Sequence, residues 1–480
     1  MAPRNTHGQG RRQVALFGTF DTDNFGDCLF PLIVEQQLSR RIKDVELLLF
    51  SPTRRTAKTA NYGRVHTLDE LGQVFDTMLP AFVIGGGALL STEHVLFAYP
   101  EVRLVYPYSL KCWLLPAMAA SSWKCPLILN GVGLGPFESS YGVLASKYLR
   151  QADVCGVRDA LTQGFLGSLG VQSEIVPDSG ILTPELESRS ARNSRYQRLK
   201  TEFDLPERYI AVQASLFLGS RLDAFAGAVA EAARQAGLPV VLIPICHHLN
   251  DLVASRIMRR IFNAKAASCR PAADRKAVKT AAGRQEAASE TVLIRRILNT
   301  LETSAVLSQA ALYVGTSLHG ALVTLSFEKP IVSFSPRSMK KNRAVLAVLG
   351  AEDCVLNEVS ELPRRIGETL RGPQAQCAAG LEDARNRLTA FFDRAAQVIW
   401  SRSGTPLSRP LKLEVSSGAG LCDGVKDDLD RVKELSAQYR KRIPLVRRCA
   451  AFVVRNNRVA SEWYDRISHW LTVRKADDEP

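Results

Sequence analysis

This sequence predicts an α/β fold of two facing Rossmann-like domains, on three observations. Short apolar or β-branched runs alternate with helix-like stretches along most of the chain. Glycine-rich or polar segments follow those runs at the points where a parallel strand hands over to a helix. The 480 residues also exceed one ordinary core, which favours two domains of roughly 200 residues each.

The elements read in order as follows. Residues 14–17 (VALF) form the first strand, and 28–42, apolar near helical spacing, the helix behind it. Strands follow at 46–50, 81–84, 126–130, 154–157 and 173–176. Residues 188–205 are polar, arginine-rich and helical, ending at Pro206. A second α/β set opens with a strand at 209–214 and continues through 240–243, 311–315 and 330–334. The expected domains are therefore 1–205 and 206–404. Residues 265–290 are rich in Ala, Lys and Arg with almost no large apolar side chain, so they read as an insertion in the second domain. Beyond about 405, a linker leads to a C-terminal helical appendage, 405–480. Its helix, 445–471, lines Phe452, Trp463, Ile467 and Trp470 along one face.

Composition narrows the function classes. Apolar content of 46% and charged content of 23% are those of a globular protein. No apolar run approaches the ~20 residues of a membrane span. The polar, basic N-terminal stretch has no apolar core behind it, so the expected location is cytoplasmic. The ten cysteines are scattered without a C-x-x-C pair, which reads as reduced thiols and no metal site. The net charge of +14 fits a phosphorylated substrate, an anionic membrane surface or nucleic acid. No zinc-finger spacing or aromatic–basic sheet signature accompanies it, so no nucleic-acid partner is expected. Residues 439–458 carry many Lys and Arg and no acid. The ordinary reading of 439–471 is a helix packed on the body with its basic side in water; the functional one is peripheral contact with the inner face of the membrane.

Candidate chemistry lies at strand ends, where α/β proteins bind ligands. After the first strand, Asn24, Gly26 and Asp27 sit in a segment that allows backbone N–H groups to approach an anion or hydroxyls, although Asp27 suits a helix cap equally well. The segment is not G-x-G-x-x-G, which argues against a nicotinamide cofactor. Gly85, Gly86 and Gly87 precede what reads as a helix start and form either a substrate cradle or a tight packing turn. The stretch 130–136 (NGVGLGP) repeats that style. Arg158 offers a planar fork for a carboxylate or phosphate, or else a structural bridge to Asp159. Asp178 is a candidate base or a turn residue. His319, in 316–320 (TSLHG), has the side chain best suited to proton transfer near neutrality, though a lone His is commonly structural. Arg337, Lys340, Lys341 and Arg343 follow the next strand end and face either the same cleft or solvent.

The order of these motifs resembles the polysaccharide pyruvyl transferase family. The matching pieces are 24–27 (NFGD), 83–87 (VIGGG), 130–136, 156–159 (GVRD), 176–178 (VPD) and 313–320 (YVGTSLHG), with Lys341 where the family often has a lysine. The resemblance runs from about Val14 to Val355 and implies a glycosyltransferase-B-like fold. It implies transfer of the pyruvyl unit of phosphoenolpyruvate to a sugar of a cell-surface polysaccharide or its lipid-linked precursor, without a further cofactor. On it, Arg158, Ser317 and Lys341 fall at the donor, and His319 at the proposed acid/base. Many members carry Arg-Leu-His where this chain has Ser317-Leu318-His319.

Two other readings stay open at this stage. A glycosyltransferase-B-type enzyme with a nucleotide-sugar donor predicts an acidic ribose- or diphosphate-binding residue in the second domain, around Asp251 or Glu328. A non-catalytic relative would scaffold glycan assembly through the basic C-terminal region.

Overall fold

A computed structural model describes residues 12–75, 78–92, 108–268, 291–336, 340–372, 378–405 and 421–442. These form two compact α/β units. The first comprises the described residues up to Leu182 together with Gly380–Arg442; the second comprises those of Thr183–Ala379.

The first unit is built on eight parallel strands: β1 (Arg12–Phe17), β2 (Val45–Phe50), β3 (Val65–His66), β4 (Ala81–Ile84), β5 (Gly87–Leu90), β6 (Leu127–Leu134), β7 (Val154–Val157) and β8 (Glu174–Ile175). Their order is β3-β2-β1-β4-β6-β7-β8, with β5 also paired to β6. The chain steps one way from β1 to β2 and the other way from β4 to β6. Right-handed crossovers therefore put helices on both faces. On one face lie the helices Leu114–Trp123 and Gly142–Leu149, packed over Phe17, Phe82, Leu129, Val132 and Val157. The other carries the helix Phe25–Ser39, whose buried Cys28, Phe30 and Ile33 lie outside that cluster. Coverage on both sides explains why all four residues of β4 (AFVI) are apolar and buried.

The second unit repeats the plan with six parallel strands: β9 (Ile210–Gln213), β10 (Val240–Leu242), β11 (Thr291–Leu293), β12 (Leu312–Gly315), β13 (Ile331–Phe334) and β14 (Val355–Leu356). Their order, β11-β10-β9-β12-β13-β14, is the 3-2-1-4-5-6 of the doubly wound fold. The helices Arg221–Ala236, Asp251–Ser268 and Leu362–Arg371 supply Phe225, Val229, Met258, Phe262 and Ile366 to its core. In each unit the strand order reverses at one point: between β1 and β4, and between β9 and β12.

The α/β class matches the sequence reading, and each strand it named is present, but β3, β5, β11 and β14 were not anticipated. Several local expectations are corrected. Gly85–Gly87 do not start a helix: Gly87 opens β5. Nor is 130–136 a loop, because β6 runs on to Leu134. It does so across an irregularity at Leu129–Val132, where Gly131 takes φ +58. The first helix starts at Phe25, and its cap is Asn24, which accepts from Gly26 N, while Asp27 lies in its first turn. The units divide after Leu182 rather than near residue 205. The helix Arg189–Phe203 packs within the second unit, burying Tyr196 and Leu199, with Glu202 paired to Arg296 at 2.6 Å.

The chain end also differs. The helix Ala378–Arg402 serves the first unit: Phe391 packs where Gly156 has no side chain, and Arg387 donates to Ile175 O. The helix Asp423–Arg442, which the sequence did not suggest, adds Val425, Leu429 and Val432 to the first core, and Asp428 takes Lys147 and Tyr148. The expected insertion begins inside the helix Asp251–Ser268; its remainder, and the expected helix 445–471, lie outside the described residues. No helix among the described residues is long and apolar enough to cross a membrane.

Candidate active site

In the first unit the strand ends gather most of the sequence-flagged residues. Asn24 caps the helix Phe25–Ser39 and donates through Nδ2 to Asp27 Oδ2 at 2.9 Å. Thr22 Oγ1 donates to the same carboxylate oxygen at 3.2 Å. The triple glycine lies directly against this helix start. A Cβ on Gly86 would fall 2.3 Å from the Phe30 ring, and one on Gly87, at φ +97, 3.5 Å from Asp27 Oδ1. Gly85 N donates to Phe17 O at 2.7 Å. Asn24, Gly26, Asp27 and Gly85–Gly87 thus form one corner at the reversal point, and packing alone already demands Gly86.

Further along the same edge, Arg158 follows β7. It is only 1% exposed, and buried guanidinium groups are stable only when paired. Nη1 donates to Asp178 Oδ2 at 3.3 Å, and Asp159 Oδ2 stands 3.8 Å from Nε. Neither Nε nor Nη2 has a hydrogen-bond partner. Asp178 Oδ1 accepts from Gly180 N at 3.0 Å, so this carboxylate braces Arg158 and its own turn. Asp159 caps the helix Ala160–Ser168 by accepting from Thr162 N. Gly133 makes the arrangement possible: a Cβ there would lie 2.3 Å from Arg158 Nε and 2.7 Å from Cζ.

The second unit builds its strand-end site around Gln213, a residue the sequence reading passed over. At the end of β9, its Oε1 accepts from Thr316 N (3.0 Å) and Ser317 N (2.8 Å). Its Nε2 donates to Asp251 Oδ2 at 2.8 Å. The same oxygen takes Cys246 N at 2.9 Å and Ile245 N at 3.2 Å. Asp251 is fully buried, and burial pushes its carboxyl up to about 6 against these bonds. A lone glutamine in an otherwise apolar strand was the signal available.

This network fixes the turn that carries His319. Ser317 caps the helix Leu318–Ser326, accepting from Gly320 N at 3.2 Å, and His319 follows half-buried in the first turn. Gly320 leaves room for the Tyr313 hydroxyl, which a Cβ would meet at 2.3 Å. Burial, and then the Asp251 charge, hold that phenol well above its ordinary range. Asn342 ties Thr316 O to Ser333 Oγ, both at 3.1 Å, while Lys341 beside it is exposed. Arg337 lies outside the described residues. Glu328, at φ +60, closes the turn after the His319 helix. Among the described residues no group of three or more His, Cys, Asp or Glu side chains is placed to hold a metal ion.

Comparison with known proteins adds the following. The family described as polysaccharide pyruvyl transferase matches residues 24–338. No curated protein matches. Among solved structures, the UDP-GlcNAc 2-epimerase of Methanocaldococcus jannaschii is 10% identical with a TM-score of 0.47, covering 78% of this chain and 99% of its own. That of Neisseria meningitidis is 11% identical with a TM-score of 0.48, covering 82% and 99%. An α,α-trehalose-phosphate synthase of Burkholderia xenovorans is 14% identical with a TM-score of 0.37, covering 60% and 70%. None of these likenesses to solved structures bears on what the chain binds.

Proposed function

The chain belongs to the polysaccharide pyruvyl transferase family, and from that premise we propose that its donor is phosphoenolpyruvate and its acceptor a sugar hydroxyl of a cell-surface polysaccharide or lipid-linked precursor. The observation that carries the donor is Arg158, a buried guanidinium held by one nitrogen with its Nε–Nη2 edge unpartnered. Those two N–H groups are the pair that grips a carboxylate or phosphate bidentately. Phosphoenolpyruvate carries both anions.

The residues suit the chemistry. A proton added to the enol methylene turns it into a methyl group and leaves C2 cationic. A sugar oxygen bonds to C2, the C2–O bond to phosphate breaks, and a second hydroxyl closes the ketal. Of the two hydroxyl protons, one balances that taken up by the methyl group and the other leaves with phosphate. Arg158 holds the anion. For proton traffic the second unit offers His319, and general acid–base help is typically worth ~10²–10⁴ in rate. We assign Asp178 to positioning Arg158, rather than to the proton transfer its strand-end place suggested. Ser317, engaged as a helix cap through its oxygen, still has a hydroxyl proton to donate, and Lys341 is a further cation for the donor.

The nucleotide-sugar alternative finds less support. The two N–H groups entering the His319 helix already bind Gln213, and Asp251 is buried beneath it, so neither is free for a diphosphate or ribose. The basic sequence 439–458 supports approach to anionic lipid headgroups at the cytoplasmic face, where a lipid-linked acceptor would lie. Calorimetric titration of phosphoenolpyruvate into wild type and Arg158→Ala tests the donor. Saturable binding that the variant weakens at least tenfold, about 1.4 kcal/mol, is expected; binding of a nucleotide sugar in its place would overturn the assignment.

A further inference from the structure

Asn130 is buried to 1% exposure, yet neither its Nδ2 nor its Oδ1 has a hydrogen-bond partner. An amide so placed loses its water on folding and recovers nothing, and buried polar groups left in that state are few and call for a cause. Packing supplies none: a leucine of similar volume would fill the site without the penalty.

Its position suggests one. Leu129 and Val132 both belong to the hydrophobic cluster on one face of the sheet, although three residues apart. The irregularity at Gly131 absorbs the extra residue. Asn130 and Gly133 are thereby left on the opposite face, and Gly133 is where the Arg158 guanidinium lies. Gly131 itself abuts Pro177 O, at 3.7 Å from its would-be Cβ, beside Asp178. The amide and the guanidinium with unpartnered donors therefore share one face of the sheet, Asn130 midway along β6 and Arg158 just past the end of the adjacent β7. Three residues of strand, at ~3.3 Å each, separate their supports by at most about 10 Å, within reach of two side chains gripping one small ligand.

We propose that Asn130 is a second binding residue of the Arg158 site, its Nδ2 donating to an oxyanion of the same small ligand. For the ligand's identity this rests on the donor reading above; for the site it rests on two buried polar groups with matching deficits. An amide beside an arginine adds a donor for a second ligand oxygen while leaving the buried charge count unchanged.

The test titrates the full-length protein with phosphoenolpyruvate and, separately, inorganic phosphate, and records melting curves. Asn130→Leu is expected to weaken binding about tenfold or more and to melt no lower than wild type, since an unpartnered amide has been removed. Asn130→Asp, nearly isosteric, is expected to weaken it further, because a carboxylate then faces the anion; it stands in should the leucine variant fail to fold. Either variant binding within about twofold of wild type, while Arg158→Ala has lost binding, would overturn the role of Asn130 and leave the donor reading intact. Phosphate binding sensitive to both residues without phosphoenolpyruvate binding would uphold the site and remove the donor. Wild type that binds neither probe removes both.

Discussion

The two α/β units share a doubly wound plan and gather candidate residues at strand ends, Arg158 after β7 and His319 after β12, yet the two ends are finished differently. In the second unit the turn that carries His319 is held from within the protein: Gln213 accepts from Thr316 N and Ser317 N and donates to Asp251 Oδ2, leaving Asp251 Oδ1 as a buried oxygen without a hydrogen-bond partner. In the first, Arg158 keeps two donors and Asn130 a whole amide without partners, all of them buried. Buried polar groups are normally satisfied, so the second unit reads as a pre-set support for an acid/base and the first as a surface completed by its ligand. A shared doubly wound plan places both; only side-chain accounting separates a support from a binding site.

The contrast can be broken most sharply at Gly133. A methyl group there lands 2.3 Å from Arg158 Nε, and the guanidinium, held by Asp178, has little room to retreat. Gly133→Ala is expected to lower phosphoenolpyruvate binding on the order of 10²-fold, as displacing a charged bidentate contact should, and to destabilise by ~1–3 kcal/mol. Calorimetry beside a melting curve checks this, and normal binding would show that the Arg158 placement is not the working one.

Gln213→Leu probes the opposite corner. It strips the partner from two backbone N–H groups and from a buried carboxylate, a cost of about 2–3 kcal/mol in stability. Because Arg158, the main proposed anion contact, lies in the first unit while the disturbed turn carries Ser317, phosphoenolpyruvate affinity should fall much less than turnover; the conservative Gln213→Glu should not restore turnover, since a carboxylate would face Asp251. Equal losses of affinity and turnover would erase the distinction between the two corners.

The smallest effect concerns Asp251. Its carboxyl, raised by burial to about 6, contributes stability that is present below the unfolded value near 4 and is lost as pH rises through about 6. Asp251→Asn keeps the acceptor oxygen and removes the charge. It should therefore be more stable than wild type at pH 8, by ~1–3 kcal/mol in denaturant titration, with the advantage shrinking toward pH 4. A variant less stable at every pH would mean that the charge itself holds Gln213.

Legibility varied along the chain for physical reasons. The strands at 14–17, 81–84 and 154–157 were readable because burial on both faces leaves continuous apolar runs. Glycine was ambiguous. Gly86 against Phe30, Gly131 at φ +58 and Gly133 under Arg158 serve three purposes with one residue type, so a bulged strand looked like a loop. Asn24 and Asp27 are both good caps, and only the helix start decides between them. Neither Asn130 nor Gln213 is marked by the sequence, because an uncharged amide in an apolar run announces neither a partner nor the lack of one.

Local patterning by itself determined the α/β class, the alternation of strand and helix, the strand ends as the place for chemistry and Arg158 and His319 as residues to watch. Those follow from interactions between near neighbours: periodicity, capping and the conformational limits of each residue type. Only the tertiary structure decided where the units divide, that the helices Ala378–Arg402 and Asp423–Arg442 return to the first of them, and that Gly133 makes room for Arg158. It also decided which polar groups are satisfied and which are not. Each of these depends on residues far apart in sequence sharing one small, water-excluded volume, and no local pattern records how that volume is shared.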